Sequence, residues 1–249
     1  MSSVNEHYQN VLAAHYSWMF GLSFEEKVQE QRAILSEAIK AGENKPPKPL
    51  AVDLGSGPGF QTVALAELGF SPVVAIDSSR ELLDELQSHV RNLPIEIKHS
   101  DLRELPNIVQ AGEAAVVVCM GDTLTHLPGK AAVSKLFEDV YRALCPGGLL
   151  VVTYRDLTAE LKDADRFISV RSDDKTIMTC FLEYENSETV VVHDLVYTRA
   201  ADGWQLKKSS YRKLRLAVDW VLRELAAKGF SVQFNGFAGR LSEIVAKKQ

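Results

Sequence analysis

The stretch Ala51 to Phe60, AVDLGSGPGF, limits what this chain can fold into more than any other. Ala51, Val52 and Leu54 read as the end of a buried strand, Gly55, Gly57 and Gly59 follow at alternate positions, and the helical pattern Val63, Ala64, Leu65, Leu68 begins at once. Glycine accepts positive φ and has no Cβ to hold a ligand away from the backbone. The first amides of the following helix point at the same spot, so main-chain donors can hold a polar cofactor there. The spacing is G-x-G-x-G, with Phe60 and Thr62 where the dinucleotide fingerprint G-x-G-x-x-G continues, and no Walker lysine follows. That disfavours a nicotinamide-dependent oxidoreductase. Taken alone, the pattern also suits a plain strand-to-helix turn.

The chain around this turn alternates between strand and helix, the mark of a parallel sheet with crossover helices. A helix over 60–68 stops at Gly69, 72–76 is a strand ending at Asp77, and 79–90 is a helix capped by Ser78 or Ser79. Strands at 95–99 and 113–120 follow, and the apolar AAVVVCM of the latter predicts a central strand buried on both faces. A helix over 130–144 and the turn Pro146, Gly147, Gly148 lead into a strand at 149–154. Two helices, over 4–20 and 24–41, precede all of this and can cap the strand ends, and a proline-rich linker from Glu43 to Pro49 joins them to the sheet.

After Arg155 the pattern changes. Runs at 167–170, 176–184, 189–198 and 204–212 are joined too closely for crossovers and read as an antiparallel meander, with Asp202 and Gly203 as a hairpin turn. A helix over 216–228 and strands at 230–234 and 241–246 end the chain. The organisation expected is 1–48 as helical cap and linker, 49–156 as cofactor-binding core, 157–213 as an antiparallel insertion over the substrate, and 214–249 as a helix and hairpin completing the sheet.

A net charge of -5 with mixed signs argues against a nucleic-acid partner bound through a broad basic face. The basic cluster Lys207, Lys208, Arg212, Lys213, Arg215 reads as a solvated strand face. Cys119, Cys145 and Cys180 make neither a zinc pattern nor a disulfide framework, so no metal is expected and a reducing cytoplasm is the default. The N-terminus lacks the pattern of a secretory signal, and no apolar run approaches the ~20 residues of a membrane span.

Three acids carry the chemistry near the glycine turn. Asp77, at the end of the next strand, can accept both hydroxyls of a ribose or simply cap the next helix. Asp101, with Leu102 after it, can accept the amino group of an adenine or serve as a turn carboxylate. Asp53 stands in an otherwise apolar strand end, where it can orient the glycine loop or reach a cofactor through water.

Together these features resemble the class I methyltransferases that use S-adenosylmethionine. VDLGSGPGF resembles that family's first motif, Asp77 its ribose-binding acid, SDL at 100–102 its adenine-contact segment, CMGDTLTHLP at 119–128 its fourth motif, and LCPGGLLVVTYRD its turn and fifth strand. The tail from Gly229 to Lys247 resembles the closing hairpin whose last strand runs antiparallel. The resemblance implies an α/β, Rossmann-like, seven-stranded and mostly parallel sheet with an antiparallel last strand. It implies S-adenosylmethionine held by Asp53, Gly55, Ser56, Gly57, Gly59, Phe60, Asp77, Ser78, Asp101, Leu102, Met120 and Gly121.

Within that family the chain looks most like the glycine and sarcosine N-methyltransferases, which implies methyl transfer to a small molecule with an amine as acceptor. Arg155 matches the arginine that holds a substrate carboxylate there, or it pairs with Asp156 on the surface. Asp122 replaces an asparagine of that subfamily, and a carboxylate facing the substrate would favour a cationic amine. Asp122 and His126 are the candidates to assist deprotonation. Tyr16 and Trp18 can close over the sulfonium or serve only as core. No covalent intermediate is expected, because alignment in a water-poor pocket suffices. A protein that binds S-adenosylmethionine without transferring its methyl, and a methyltransferase with a macromolecular acceptor, are the alternatives.

Overall fold

In a computed structural model, which describes residues 4–42, 49–90 and 92–249, the chain begins with an irregular cap. A single α-helical turn, α1 (Val4–His7), passes into a π-helical turn over Tyr8–Leu12 and 3-10 turns over Ala13–His15 and Trp18–Phe20, where one regular helix was expected. The segment must send side chains two ways, and the changing pitch does this. Val11 and Leu12 pack on Met178 and Val196 of the later meander, while Tyr16 and Phe20 reach the sheet core. Most of the linker after the second helix, 43–48, lies outside the described residues.

Helix α2 (Phe24–Ala41) starts at a capping box in which the Ser23 side chain accepts from the Glu26 amide and Glu26 accepts from the Ser23 amide. The alternating region then gives β1 (Ala51–Leu54), α3 (Phe60–Glu67), β2 (Val73–Asp77), α4 (Arg80–His89) and β3 (Ile95–His99). It continues through α5 (Leu105–Ile108), β4 (Ala114–Cys119), α6 (Lys130–Ala143) and β5 (Leu144–Tyr154). The meander is β6 (Phe167–Ser172), β7 (Thr176–Tyr184), β8 (Thr189–Ala200) and β9 (Gly203–Leu214), and α7 (Val218–Ala227), β10 (Phe230–Ala238) and β11 (Leu241–Lys248) close the chain.

The main sheet has the order β10-β11-β5-β4-β1-β2-β3. Strands β1 to β5 are parallel, and β11 runs antiparallel to both β5 and β10. β4 is the central strand and every one of its residues is buried, as its unbroken apolar run requires. Alternation along the strands divides the core in two. Val52, Val117 and Val152 face Leu136, Phe137 and Leu225 of α6 and α7, whereas Ala75, Val116 and Val118 face Leu35, Leu65 and Leu83 of α2, α3 and α4. β1 leads outward to β2 and β3 while β4 leads the other way to β5, so a crevice opens beyond the ends of β1 and β4.

The second sheet, β6-β7-β8-β9, is antiparallel throughout. Its inner face buries Leu182, Val190, Val192 and Tyr211. The cap is fixed to it by a buried contact between His7 Nε2 and Asp194 Oδ2 at 2.9 Å, and by Trp18 Nε1 donating to Asp173 Oδ2 at 2.6 Å. Replacing Asp194 by alanine leaves the His7 imidazole buried without that partner, a loss expected to cost about 1–3 kcal/mol. Faster proteolytic cleavage within Val4–Phe20 would register it; unchanged cleavage and unfolding would contradict the anchoring role. Among the described residues no helix is long and apolar enough to cross a membrane, and no group of His, Cys, Asp and Glu is arranged to hold a metal ion.

Candidate active site

The glycine turn is built by hydrogen bonds from the neighbouring strand. The amides of Gly55 and Ser56 donate to the Ile76 carbonyl at 2.8 and 3.1 Å, and the Gly57 amide donates to Asp77 Oδ2 at 2.7 Å. Gly59, at φ +98°, starts α3, and a Cβ there would collide with Leu86, so left-handed backbone and close packing both demand glycine. A Cβ on Gly57 would instead stand 3.7 Å from the Tyr16 ring, across the space above the turn.

That space is a cavity of about 490 Å³, within the size range of small-molecule sites. Its lining includes Gly55, Gly57, Asp77, Ser78, Asp101 and Leu102 of the parallel half. It also includes Tyr8, Gln9 and Tyr16 of the cap, Thr123 and His126 after β4, and Thr189, Arg212 and Lys213 of the second sheet. The cavity therefore joins the crevice of the parallel sheet to the inner face of the antiparallel one.

Asp77 holds two amides at once: besides Gly57, the Ser79 amide donates to its Oδ1 at 2.8 Å. Burial raises its pKa, opposed by these hydrogen bonds. Asp101 is clasped by Arg103, whose Nε and Nη2 donate to Oδ1 and Oδ2 at 2.9 and 2.6 Å, and Arg103 holds its pKa below the usual carboxylate range. Arg103 also lines the cavity, so Asp101 presents an ion pair there rather than a free carboxylate. Asp53 lies beneath the turn, away from the cavity lining, where Thr62 Oγ1 donates to it at 2.6 Å. Burial pushes Asp53 up to about 7 against the Thr62 hydrogen bond.

Four other residues expected at the cofactor, Ser56, Phe60, Met120 and Gly121, are not among those lining the cavity. Ser56 is buried, Phe60 packs on Phe20 and Phe24, and the Met120 carbonyl accepts from Thr123 Oγ1 at 2.9 Å. The Gly121 amide donates to Thr153 Oγ1 at 2.9 Å. Trp18 is turned to the meander's outer loop, where Arg171 meets its carbonyl and its ring. Arg155 is 46 % exposed and outside the lining.

Asp122 does not face the cavity either. Its Oδ1 accepts from the Arg155 amide at 2.9 Å and its Oδ2 from Lys213 Nζ at 2.6 Å. Burial would raise its pKa, but Lys213 and the hydrogen bonds outweigh this and leave it at about 2. The carboxylate expected to attract a cationic amine is thus ionised at neutral pH and already paired. His126 does line the cavity, stacked on Tyr211 with centroids 5.4 Å apart, and its buried Nδ1 has no partner. Burial and then Lys213 push it down to about 3, so the ring is neutral.

The cluster read as a solvated strand face is divided by the fold. Lys207 and Lys208 are exposed, but Lys213 is partly buried in the site, and Arg215, 6 % exposed, bonds the carbonyls of Leu157, Thr158 and Asn186. Sequence reasoning missed Lys213, Tyr8, Gln9 and Thr123. The signal for Lys213 was its place beside the aromatic Tyr211 at period two, on the inward face of β9.

Residues 51–148 match the family model described as a methyltransferase domain. YqeM of Bacillus subtilis (strain 168) is 31 % identical over 156 residues, 61 % of this chain and 61 % of its own length. A glycine/sarcosine N-methyltransferase of Parasynechococcus marenigrum (strain WH8102) is 30 % identical over 107 residues, covering 42 % of this chain and 37 % of the relative. The chain thus spans about three-fifths of the first relative and less than half of the second. The fold is that of the S-adenosylmethionine-bound CalS10, an amino pentose methyltransferase from Micromonospora echinaspora, with TM-score 0.75 at 15 % identity over 95 % of both chains. The glycine turn, the strand order, the domain match over 51–148 and the relatives all agree with a class I S-adenosylmethionine-dependent methyltransferase domain.

Proposed function

We propose that the protein transfers a methyl group from S-adenosylmethionine to a small-molecule acceptor, with an amine nitrogen as the attacking atom. The observation that carries this reading is one cavity whose lining brings together the glycine turn, Asp77, His126 and Lys213. Its size suits a nucleoside cofactor and a small acceptor, and relatives named as N-methyltransferases support nitrogen. Asp77 receives the ribose hydroxyls, the Asp101 and Leu102 segment borders the adenine, and Tyr16 covers the part of the cavity over Gly57.

When bound, the cofactor supplies an electrophilic methyl group on a positively charged sulfur. The chain's own work is alignment and exclusion of water, and orientation alone can be worth about 7–11 kcal/mol. An amine must arrive as its free base. His126, neutral and among the residues lining the cavity, orients the amine so that its lone pair faces the reacting carbon. Asp122, held at about 2 and not among the residues lining the cavity, is too weak a base to take the amine's proton.

The His126 assignment has a stability consequence. Its folded pKa of about 3 lies below the ordinary imidazole value of 6.5, so between those values the unfolded chain binds the extra proton. Stability is expected to fall as pH drops through that window, by an amount on the order of a few kcal/mol. His126→Phe should flatten the difference; identical pH dependence of unfolding in both proteins would rule out the buried neutral ring. The functional reading is tested by calorimetric titration with S-adenosylhomocysteine and by methyl transfer to a panel of small amines. Binding without transfer to any of them would leave a cofactor-binding protein, and absence of binding would remove the reading.

A further inference from the structure

Lys213 sits on β9 where the second sheet meets the loop after β4. Its side chain is 12 % exposed, and its Nζ donates to Asp122 Oδ2 at 2.6 Å. Asp122 is shared. Its Oδ1 accepts from the Arg155 amide, and the Arg155 guanidinium Nε lies 3.9 Å from Oδ2. Two cations therefore surround one carboxylate, and the carboxylate is not among the groups lining the cavity, whereas Lys213 is.

The other charged groups of the lining do not cancel this excess. Arg212 is bound through Nε and Nη2 to both oxygens of Glu185, at 2.8 and 2.5 Å. Asp77 and Asp101 are committed to the Gly57 and Ser79 amides and to Arg103. His126, beside Lys213, is neutral. An ammonium carries three N–H donors, and one of them goes to Asp122. The remaining positive charge faces a partly desolvated space, where a charge-assisted hydrogen bond is stronger than in water.

We propose that Lys213 is an oxyanion-binding residue of this cavity, receiving the carboxylate, or a comparable oxyanion, of a small ligand seated there. The inference rests on the cofactor and acceptor reading of the cavity, and it moves to Lys213 a task that the family resemblance implies for Arg155. Two ligands can bring that oxyanion: the amino-acid portion of the cofactor, or the acceptor. A cationic ligand group is rejected at the same position by repulsion from Lys213.

Lys213→Met removes the ammonium and keeps the stem. Because it also leaves Asp122 buried without its cation, the double variant Asp122→Asn/Lys213→Met provides the same test in a protein with no uncompensated charge. The binding of S-adenosylhomocysteine is compared with that of 5′-methylthioadenosine, the same nucleoside thioether without the amino acid. The complex with S-adenosylhomocysteine is then titrated with benzoate and with benzylammonium, matched in shape and opposite in charge. If the cofactor brings the oxyanion, both variants lose about tenfold or more in affinity for S-adenosylhomocysteine and none for 5′-methylthioadenosine. If the acceptor brings it, S-adenosylhomocysteine binds all proteins alike, wild type prefers benzoate to benzylammonium, and the variants lose that preference. Variants matching wild type for every ligand would overturn the proposal, as would wild type binding benzoate no better than benzylammonium while its cofactor affinity is insensitive to Lys213. Failure of the wild type to bind either nucleoside is a different result, which removes the cofactor reading itself.

Discussion

Asp77→Ala is expected to weaken S-adenosylhomocysteine binding by about a hundredfold or more, while changing the affinity for a small acceptor far less. The carboxylate has two jobs that fail together. It accepts the Gly57 and Ser79 amides, fixing the turn and the start of α4, and it presents the acid assigned to the ribose. Two charge-assisted hydrogen bonds at roughly 1.5–3 kcal/mol each account for the size of the effect. Asp77→Asn is instructive beside it, because its amide would point a donor at the Gly57 N–H or lose the match to Ser79. Calorimetry on the folded variants measures both, and cofactor affinity unchanged in Asp77→Ala would remove Asp77 from the site.

Asp122→Ala should be the most damaging substitution for stability. It strips Lys213 of the partner 2.6 Å away and releases the Arg155 amide, at a position already held at φ +83°. Breaking one side of a buried pair costs about 3–5 kcal/mol, which for a chain of this size lowers the melting temperature by roughly 6–20 °C. Adding Lys213→Met to it should recover part of the loss, since no isolated charge remains. If the double variant melted lower than Asp122→Ala by the full cost of a second independent lesion, the pair would not be the source of the effect.

The parallel half of the molecule was legible because its signals are local. The turn AVDLGSGPGF, the acid at 77 and the apolar run ending at Cys119 each report on their own neighbourhood, and the order of such units constrains the sheet. The cap was less legible: its aromatic residues suggested one helix, but the pitch changes at Tyr8–Leu12 because the segment packs against two distant surfaces at once. Asp122 shows the same limit at the level of a site. Nothing near it in sequence shows that a lysine 91 positions later takes its carboxylate, so a charge that looked free for a ligand is neutralised by the fold. Lys213 was hidden for the complementary reason. Among basic neighbours it looked solvated, and only the register of β9 against β8 turns it inward.

The placement of β11 has a bearing on how the protein is made. Leu241–Lys248 lies between β10 and β5, antiparallel to both. Until that segment leaves the ribosome, the outer edge of β5 has no hydrogen-bonding neighbour, although β1 to β5 can already have assembled around the cofactor turn. An open, apolar strand edge is the feature by which nascent chains pair with one another. The chain thus carries its greatest hazard of misassembly through the translation of the whole meander, and the closing hairpin is the step that ends it.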